Sequence, residues 1–256
     1  MKKIASTLGT TLLLIFILPL TLCGSTRGDV KVIEASENIR YLGQRISKEY
    51  LLLYHNPNKT EIQERLYQDM ESMEKSISDI SMITNSKDSK NILDFLIYNQ
   101  EEIKALLKEK VDREKSILML DYSESFLEAA NSIEDAHHYK FSAEEKMLMS
   151  FKEIEYLLER ALKYYIASTL NIDTSNNRDK MKEAIEDIDT IIENINDYHY
   201  PDNVWASVKE MNGSWESYKE YLYKSTKLFV PNLLLSSTET LRDMTKKIAL
   251  YHKKNQ

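Results

Sequence analysis

Ile39-Arg-Tyr-Leu-Gly-Gln-Arg-Ile-Ser-Lys-Glu-Tyr-Leu51 and Ile154-Glu-Tyr-Leu-Leu-Glu-Arg-Ala-Leu-Lys-Tyr-Tyr-Ile166 agree at six of 13 positions when the sequence is shifted against itself by 115 residues. The identical pairs are Ile39/Ile154, Tyr41/Tyr156, Leu42/Leu157, Arg45/Arg160, Lys48/Lys163 and Tyr50/Tyr165. The same gapless shift holds downstream. Leu66, Met70, Met73, Ile77 and Ile80 fall on Met181, Ile185, Ile188, Ile192 and Ile195; Ile103, Lys104 and Leu107 fall on Tyr218, Lys219 and Leu222; Leu118, Leu120, Glu124 and Ile133 fall on Leu233, Leu235, Glu239 and Ile248. One register over four segments, polar matches included, implies an internal duplication and not merely a shared apolar period.

Within each copy the apolar residues recur at three- and four-residue steps, the period of an amphipathic helix. The first copy predicts helices over about 30–55, 59–83, 88–109 and 112–137, broken at Asn56-Pro57-Asn58, at Asn85-Ser86-Lys87-Asp88 and near Val111. The second predicts about 142–170, 176–198, 203–227 and 231–254, broken at Asp173-Thr174-Ser175-Asn176, at Tyr200-Pro201-Asp202 and at Pro231. Pro201 and Pro231 suit helix starts, where a missing N–H is harmless. Asp202 and Thr60 are the expected caps. Long helices on short loops give an all-α chain of two tandem up-and-down four-helix bundles, over 30–138 and 142–254. His137 to Phe141 holds no Gly or Pro, so the fourth helix is expected to run nearly straight into the fifth.

Composition points the same way. Five Gly and four Pro in 256 residues leave few turns, which excludes sandwiches, barrels and doubly wound α/β folds. Hydrophobic residues at 42% and charged residues at 29% suit a globular chain. A net charge of -7 argues against a nucleic-acid partner. A single Cys excludes an internal disulfide and any CxxC metal or haem motif.

Residues 1–25 read as an export signal. Lys2 and Lys3 precede a nearly continuous apolar run from Thr11 to Leu22, short for a spanning helix and right for a signal core. Losing the segment leaves a net charge of about -9. Cys23, in Leu20-Thr-Leu-Cys-Gly24, resembles a bacterial lipobox cysteine, although Leu22 stands where a small residue is usual. Three products follow from this: a lipoprotein modified at Cys23, a soluble exported protein, or an uncleaved anchor. The expected location is periplasmic or lipid-anchored to the cell envelope, with no span leading to a cytoplasmic output domain.

On a helical wheel Ile39, Leu42, Ile46, Tyr50 and Leu53 share the core face of the first helix. Tyr41, Arg45, Lys48 and Leu52 lie opposite, with Arg40, Gln44 and Ser47 on a flank. Packing alone makes core residues recur in a duplicated bundle. The Tyr/Arg/Lys trio recurs away from the core. It is either a solvated face stabilised by local ion pairs or a surface that docks a partner helix or holds an anion.

Arg40-Tyr-Leu-Gly-Gln-Arg-Ile-Ser-Lys-Glu-Tyr-Leu51 resembles the R-M-L-S-Q-R-x-x-K-x-Y-L core of PilJ-type domains, the N-terminal sensor regions of type IV pilus methyl-accepting chemotaxis transducers. It is also similar to the first periplasmic helix of nitrate/nitrite sensor kinases. Trp215-Glu-Ser-Tyr218 and Val230-Pro-Asn-Leu-Leu extend the resemblance over nearly all of 30–254. The resemblance implies a helical sensor input module with no catalysis and no cofactor. In the nitrate sensors the first Arg of the box, from both chains of a dimer, holds the anion; that role maps onto Arg40. Ligand binding by Arg40, Gln44, Arg45 and Lys48 is therefore expected, with Tyr41, Tyr156, Arg160 and Lys163 facing a partner. The partner is a second copy docked through the first helix, or a membrane sensor or chemotaxis transducer. Two positions depart from the pattern: Glu37 replaces a small residue, and Glu155 stands at the register mate of Arg40. If the two copies mimic a dimer internally, Arg40 is expected to face Glu155.

No Gly-rich phosphate loop, G-x-S-x-G, H-E-x-x-H or Cys/His pairing is present, so no enzyme and no metal site is expected. His137-His138 follows Glu134 and Asp135, but adjacent histidines point to different faces of a helix. His55, His199 and His252 lie near helix ends, where a histidine is favourable without a catalytic role. Mass spectrometry of protein from its native host is expected to show residues 1–22, or slightly more, absent. An intact Met1 would refute cleavage, and an acylated N-terminal Cys23 would establish the lipoprotein.

Overall fold

The computed structural model describes residues 27–84, 87–137, 139–224 and 229–255. Residues 1–25, expected to be an export signal, and Cys23 within them lie outside the described residues. Among the described residues the chain is all helical, with no strand. Its helices are α1 (Arg27–His55), α2 (Thr60–Ile83), α3 (Lys87–Leu106), α4 (Arg113–Asp135), α5 (Ala143–Thr169), α6 (Thr174–Asn196), α7 (Asp202–Lys224) and α8 (Pro231–Lys254). No described helix is long and apolar enough to cross a membrane.

Helix packing follows one pattern twice. In the first half α1 packs on α2, α2 on α3, α3 on α4 and α4 on α1; in the second, α5 packs on α6, α6 on α7, α7 on α8 and α8 on α5. The two rings meet chiefly through α1 and α5. Each of these helices therefore has three neighbours. The apolar stripe read from the sequence is buried as expected, with Ile39, Leu42, Ile46, Tyr50 and Leu53 at most 6% exposed. Burial does not stop at that stripe: every residue from 46 to 53 and from 157 to 168 is buried. Leu52, Gln44 and Ser47, placed by the wheel on the outer face and its flank, are covered too, because α5 and α4 occupy the sides that an isolated four-helix ring would leave to water.

One close approach depends on glycine. A Cβ on Gly43 would stand 3.1 Å from the Phe126 Cβ, so α1 and α4 close tightly there. The reversal after α5 uses no glycine; Asn171 (φ 58°) and Asp173 (φ 37°) take left-handed backbone, which their short polar side chains tolerate.

Three local expectations are corrected. Helix α4 does not run on into α5: it ends at Asp135, and Ser142 opens α5 with a capping box, accepting from the Glu145 N–H while the Glu145 carboxylate accepts from the Ser142 N–H. The Ser142-Ala-Glu-Glu145 signature ends the preceding chain as firmly as a proline would. Thr60 is the first helical residue and Lys59 the N-cap, with no side-chain cap bond. Asp202 is likewise inside the first turn of α7, where its charge suits the helix dipole. Asp112 caps α4 by accepting from the Lys115 N–H at 2.9 Å. Replacing Ser142 with Ala should cost about 1 kcal/mol, whereas Thr60→Ala should leave the denaturation midpoint nearly unchanged. Urea unfolding of the two variants checks both.

Candidate functional site

The seam between α1 and α5 gathers most of the polar residues singled out in the sequence. Glu37 feels the charges of Lys152 and Glu153, and Arg40 feels Tyr156. Further along, Lys48 Nζ donates to Glu159 Oε2 at 2.6 Å and Lys163 Nζ to Gln44 Oε1 at 2.7 Å. The contacts move from 37–40 against 152–156 to 44–48 against 159–163, so α1 and α5 run parallel with each residue near the level of its mate 115 positions on. The two contacts are reciprocal in that register: Lys48 reaches the mate of Gln44, and the mate of Lys48 reaches Gln44. The far end repeats the pattern to within one residue. His55 at the end of α1 packs on Phe229 before α8 (ring centroids 4.1 Å apart), and Arg113 at the start of α4 donates to the Asn171 carbonyl after α5 at 3.3 Å.

Buried charges in the seam are matched. Lys163 is fully buried; its ammonium also donates to Ser123 Oγ (2.7 Å) and Glu124 Oε1 (2.9 Å), and Arg160 donates to Glu124 Oε2 at 3.0 Å. Burial pulls Lys163 down to about 8, with Glu124 opposing, so the ammonium stays charged at neutral pH. Burial would raise Glu124, but Lys163 and Arg160 together hold it at about 2. The second glutamate of that register pair, Glu239, turns instead to Arg242, whose own mate is Leu127.

Arg40 sits elsewhere in this network than expected. Its guanidinium donates to Glu37, to Glu134 and, at 2.6 Å, to Asn131 Oδ1. Its ion-pair partners are thus two carboxylates of its own half, and Glu155 pairs with Lys152 at 3.7 Å. Register mates carry swapped charges here: Glu37–Arg40 in α1 and Lys152–Glu155 in α5. Gln44 is fully buried and its amide also donates to the Ser123 carbonyl at 3.1 Å. Tyr156, Arg160 and Lys163 face the other half of the same chain, as does Tyr41.

Arg45, one of the four expected ligand residues, borders an open cleft. This cleft, of about 260 Å3, lies between α1, α5 and α8 and is lined by Glu37, Asn38, Tyr41, Arg45, Lys152, Glu155, Arg242 and Lys246. The Tyr41 hydroxyl accepts from Arg45 Nη1 at 3.0 Å and from Arg242 Nη1. Burial and Glu159 push Tyr41 up to about 12 against the pull of both arginines, so it stays a neutral phenol. Arg45 also meets Asp69 Oδ2 at 2.9 Å. Burial drives Asp69 and Glu37 up to about 7 despite their arginine partners. Two buried atoms of the lining, Arg242 Nε and Glu37 Oε2, have no hydrogen-bond partner.

Arg242 and Lys246 were not singled out in the sequence, because their register mates are not basic and α8 had been read only for its apolar period. Comparison with protein-family models, curated proteins and solved structures gives no match. No group of three or more potential metal ligands occurs among the described residues; His138 lies outside them. Lys48→Met should destabilise the fold by about 3–5 kcal/mol by stranding Glu159, and Lys48→Met/Glu159→Met should restore much of that loss. Chemical denaturation of the two variants gives the comparison.

Proposed function

We propose that the chain is an exported, non-enzymatic, sensor-type binding module. It consists of two PilJ-like four-helix repeats derived from one duplication, over 30–138 and 142–254. In this reading the second repeat takes the place of a second subunit, and the chain works as a monomer. The repeated ring of helix contacts, the reciprocal Lys48–Glu159 and Lys163–Gln44 bonds, and the 115-residue register support the duplication. The first-helix faces that would otherwise join two chains are occupied within one.

The observation that carries a binding role is the cleft between α1, α5 and α8. Arg45, Lys152, Arg242 and Lys246 border it against the carboxyls of Glu37 and Glu155. It has room for a small oxyanion of the nitrate or nitrite class with its water, and planar guanidinium donors suit such an ion. Arg40 is a poorer candidate, because Glu37 and Glu134 already fill its fork. A ligand here bridges both repeats and α8, so its binding tightens the seam that a membrane receptor would read.

Calorimetry and thermal unfolding with nitrate and with nitrite test this on wild type, Arg242→Ala, Lys246→Gln and Arg40→Ala. At 100 times its Kd the anion should add about 2.7 kcal/mol to stability. That gain should vanish in Arg242→Ala, weaken in Lys246→Gln and survive in Arg40→Ala. Loss only in Arg40→Ala would move the site to the sequence-expected arginine. No stabilisation in wild type would favour a helical surface protein without a small-molecule ligand.

A further inference from the structure

The cleft between α1, α5 and α8 has two chemically distinct poles, and a bare oxyanion uses only one of them. The cationic pole stands at the level of Tyr41. Arg45 Nη1 and Arg242 Nη1 both donate to the Tyr41 hydroxyl, so guanidinium groups from two different helices converge on one oxygen. Arg242 Nε is buried there without a hydrogen-bond partner. The acidic pole stands one turn lower on α1, about 6 Å along the helix axis. Glu37 is only 6% exposed. Its Oε1 accepts from Arg40 Nη1, and its Oε2 is buried with no partner. On α5, Glu155 is 8% exposed, and the Lys152 ammonium stands 3.7 Å from it, beyond hydrogen-bond range. Both poles line the same recess of about 260 Å3.

Nitrate or nitrite answers the arginines alone. Either ion fills only a small part of the recess, leaves Glu37 Oε2 unpartnered and shares the cleft with the Glu155 carboxylate, which repels it. A buried acceptor without a donor is costly to keep in a fold. An ammonium carries three donors on one centre, enough for Glu37 Oε2 and Glu155 together.

We propose that the cleft takes a small zwitterion of the α-amino acid class, with its carboxylate on Arg242 and Arg45 and its ammonium between Glu37 and Glu155. The proposal rests on the binding role assigned to this cleft above and names the kind of molecule that carries the oxyanion. In an α-amino acid the two charged groups share one carbon. With a hydrogen bond of about 2.8 Å at each end, they span the single turn that separates the poles. The recess lies below the range of pockets that hold drug-sized ligands, which suits a molecule of a few heavy atoms. Four basic and two acidic side chains leave the lining net positive, so an amine without a carboxylate is disfavoured. Burial holds the Glu37 carboxyl up at about 7 against the pull of Arg40, and an ammonium beside it favours the charged form. At pH 8 Glu37 is mostly a carboxylate before any ligand arrives.

Calorimetry on the full chain at pH 8 tests this with three matched pairs: L-alanine and propionate, L-aspartate and succinate, L-glutamate and glutarate. Each pair differs only by the amino group. At least one amino acid should bind about tenfold more tightly than its own analogue and than nitrate, the effect of one hydrogen bond to a charged group. Glu155→Gln should weaken that amino acid about tenfold and strengthen nitrate, because it removes a partner from one ligand and a repelling charge from the other. Glu37→Gln should weaken the amino acid in the same sense, and Arg242→Ala should weaken every ligand. Amino acids that bind no better than their analogues would overturn the proposal; nitrate binding in that case leaves the oxyanion site standing. Absence of binding by all of these ligands, nitrate and nitrite included, overturns both readings. An amino acid that loses nothing in Glu37→Gln and Glu155→Gln binds outside the cleft, which also overturns the proposal. Should a variant fail to fold, the matched pairs on wild type decide alone.

Discussion

Two lysine ammonium groups buried at the centre of the molecule set the terms for everything around them. Lys48 and Lys163 lie on parallel helices whose whole circumference is covered over this stretch. A charge in that position is tolerated only with a carboxylate and hydrogen-bonding oxygens in contact. Glu159 serves Lys48; Glu124, Gln44 and Ser123 serve Lys163. These partners come from the opposite half of the chain. Sliding the first half (α1 with α4) along α5 by one turn would strand both lysines at once, so the polar contacts fix the register that apolar packing alone would leave loose.

Much of this architecture was legible in the sequence, for a simple reason. Helix existence and the core stripe depend on the spacing of apolar residues, and Ile39, Leu42, Ile46, Tyr50 and Leu53 carry that spacing openly. The eight helical segments also followed from breaks at Asn56-Pro57, Tyr200-Pro201 and Pro231. At the α4–α5 boundary helix ends near 137 and 142 were expected but no breaker residue marks a turn, so a nearly straight run was expected too; the boundary depends on Ser142 and Glu145 bonding to each other's backbone. The outer face of α1 was the harder problem. A wheel separates apolar from polar sides, and Lys48, Gln44 and Ser47 are polar whether they meet water or a matched set of buried partners.

The candidate site was legible only in part. The recurrence of Tyr41, Arg45 and Lys48 marked the face of α1 that meets α5 and α8, since repeated polar residues away from a core need a repeated contact. Its tenant could not be read from one helix. Arg40 looked free because Glu134 and Asn131 come from α4, roughly ninety positions away. Arg242 was invisible for the opposite reason: it departs from the 115-residue register, where Leu127 stands, and a search for repeats discards whatever differs.

The replacement of Leu127 by Arg242 at matching places has a consequence for stoichiometry. A seam made by two identical chains presents the same wall twice, and a small ion between them has two equivalent ways to sit. Here one side of the seam carries an arginine on the outer helix and the other carries leucine. The recess beside Arg242 is therefore not matched by an arginine at Leu127 on the other side. In the proposed binding role, an ion held there would face the two halves of the chain unequally.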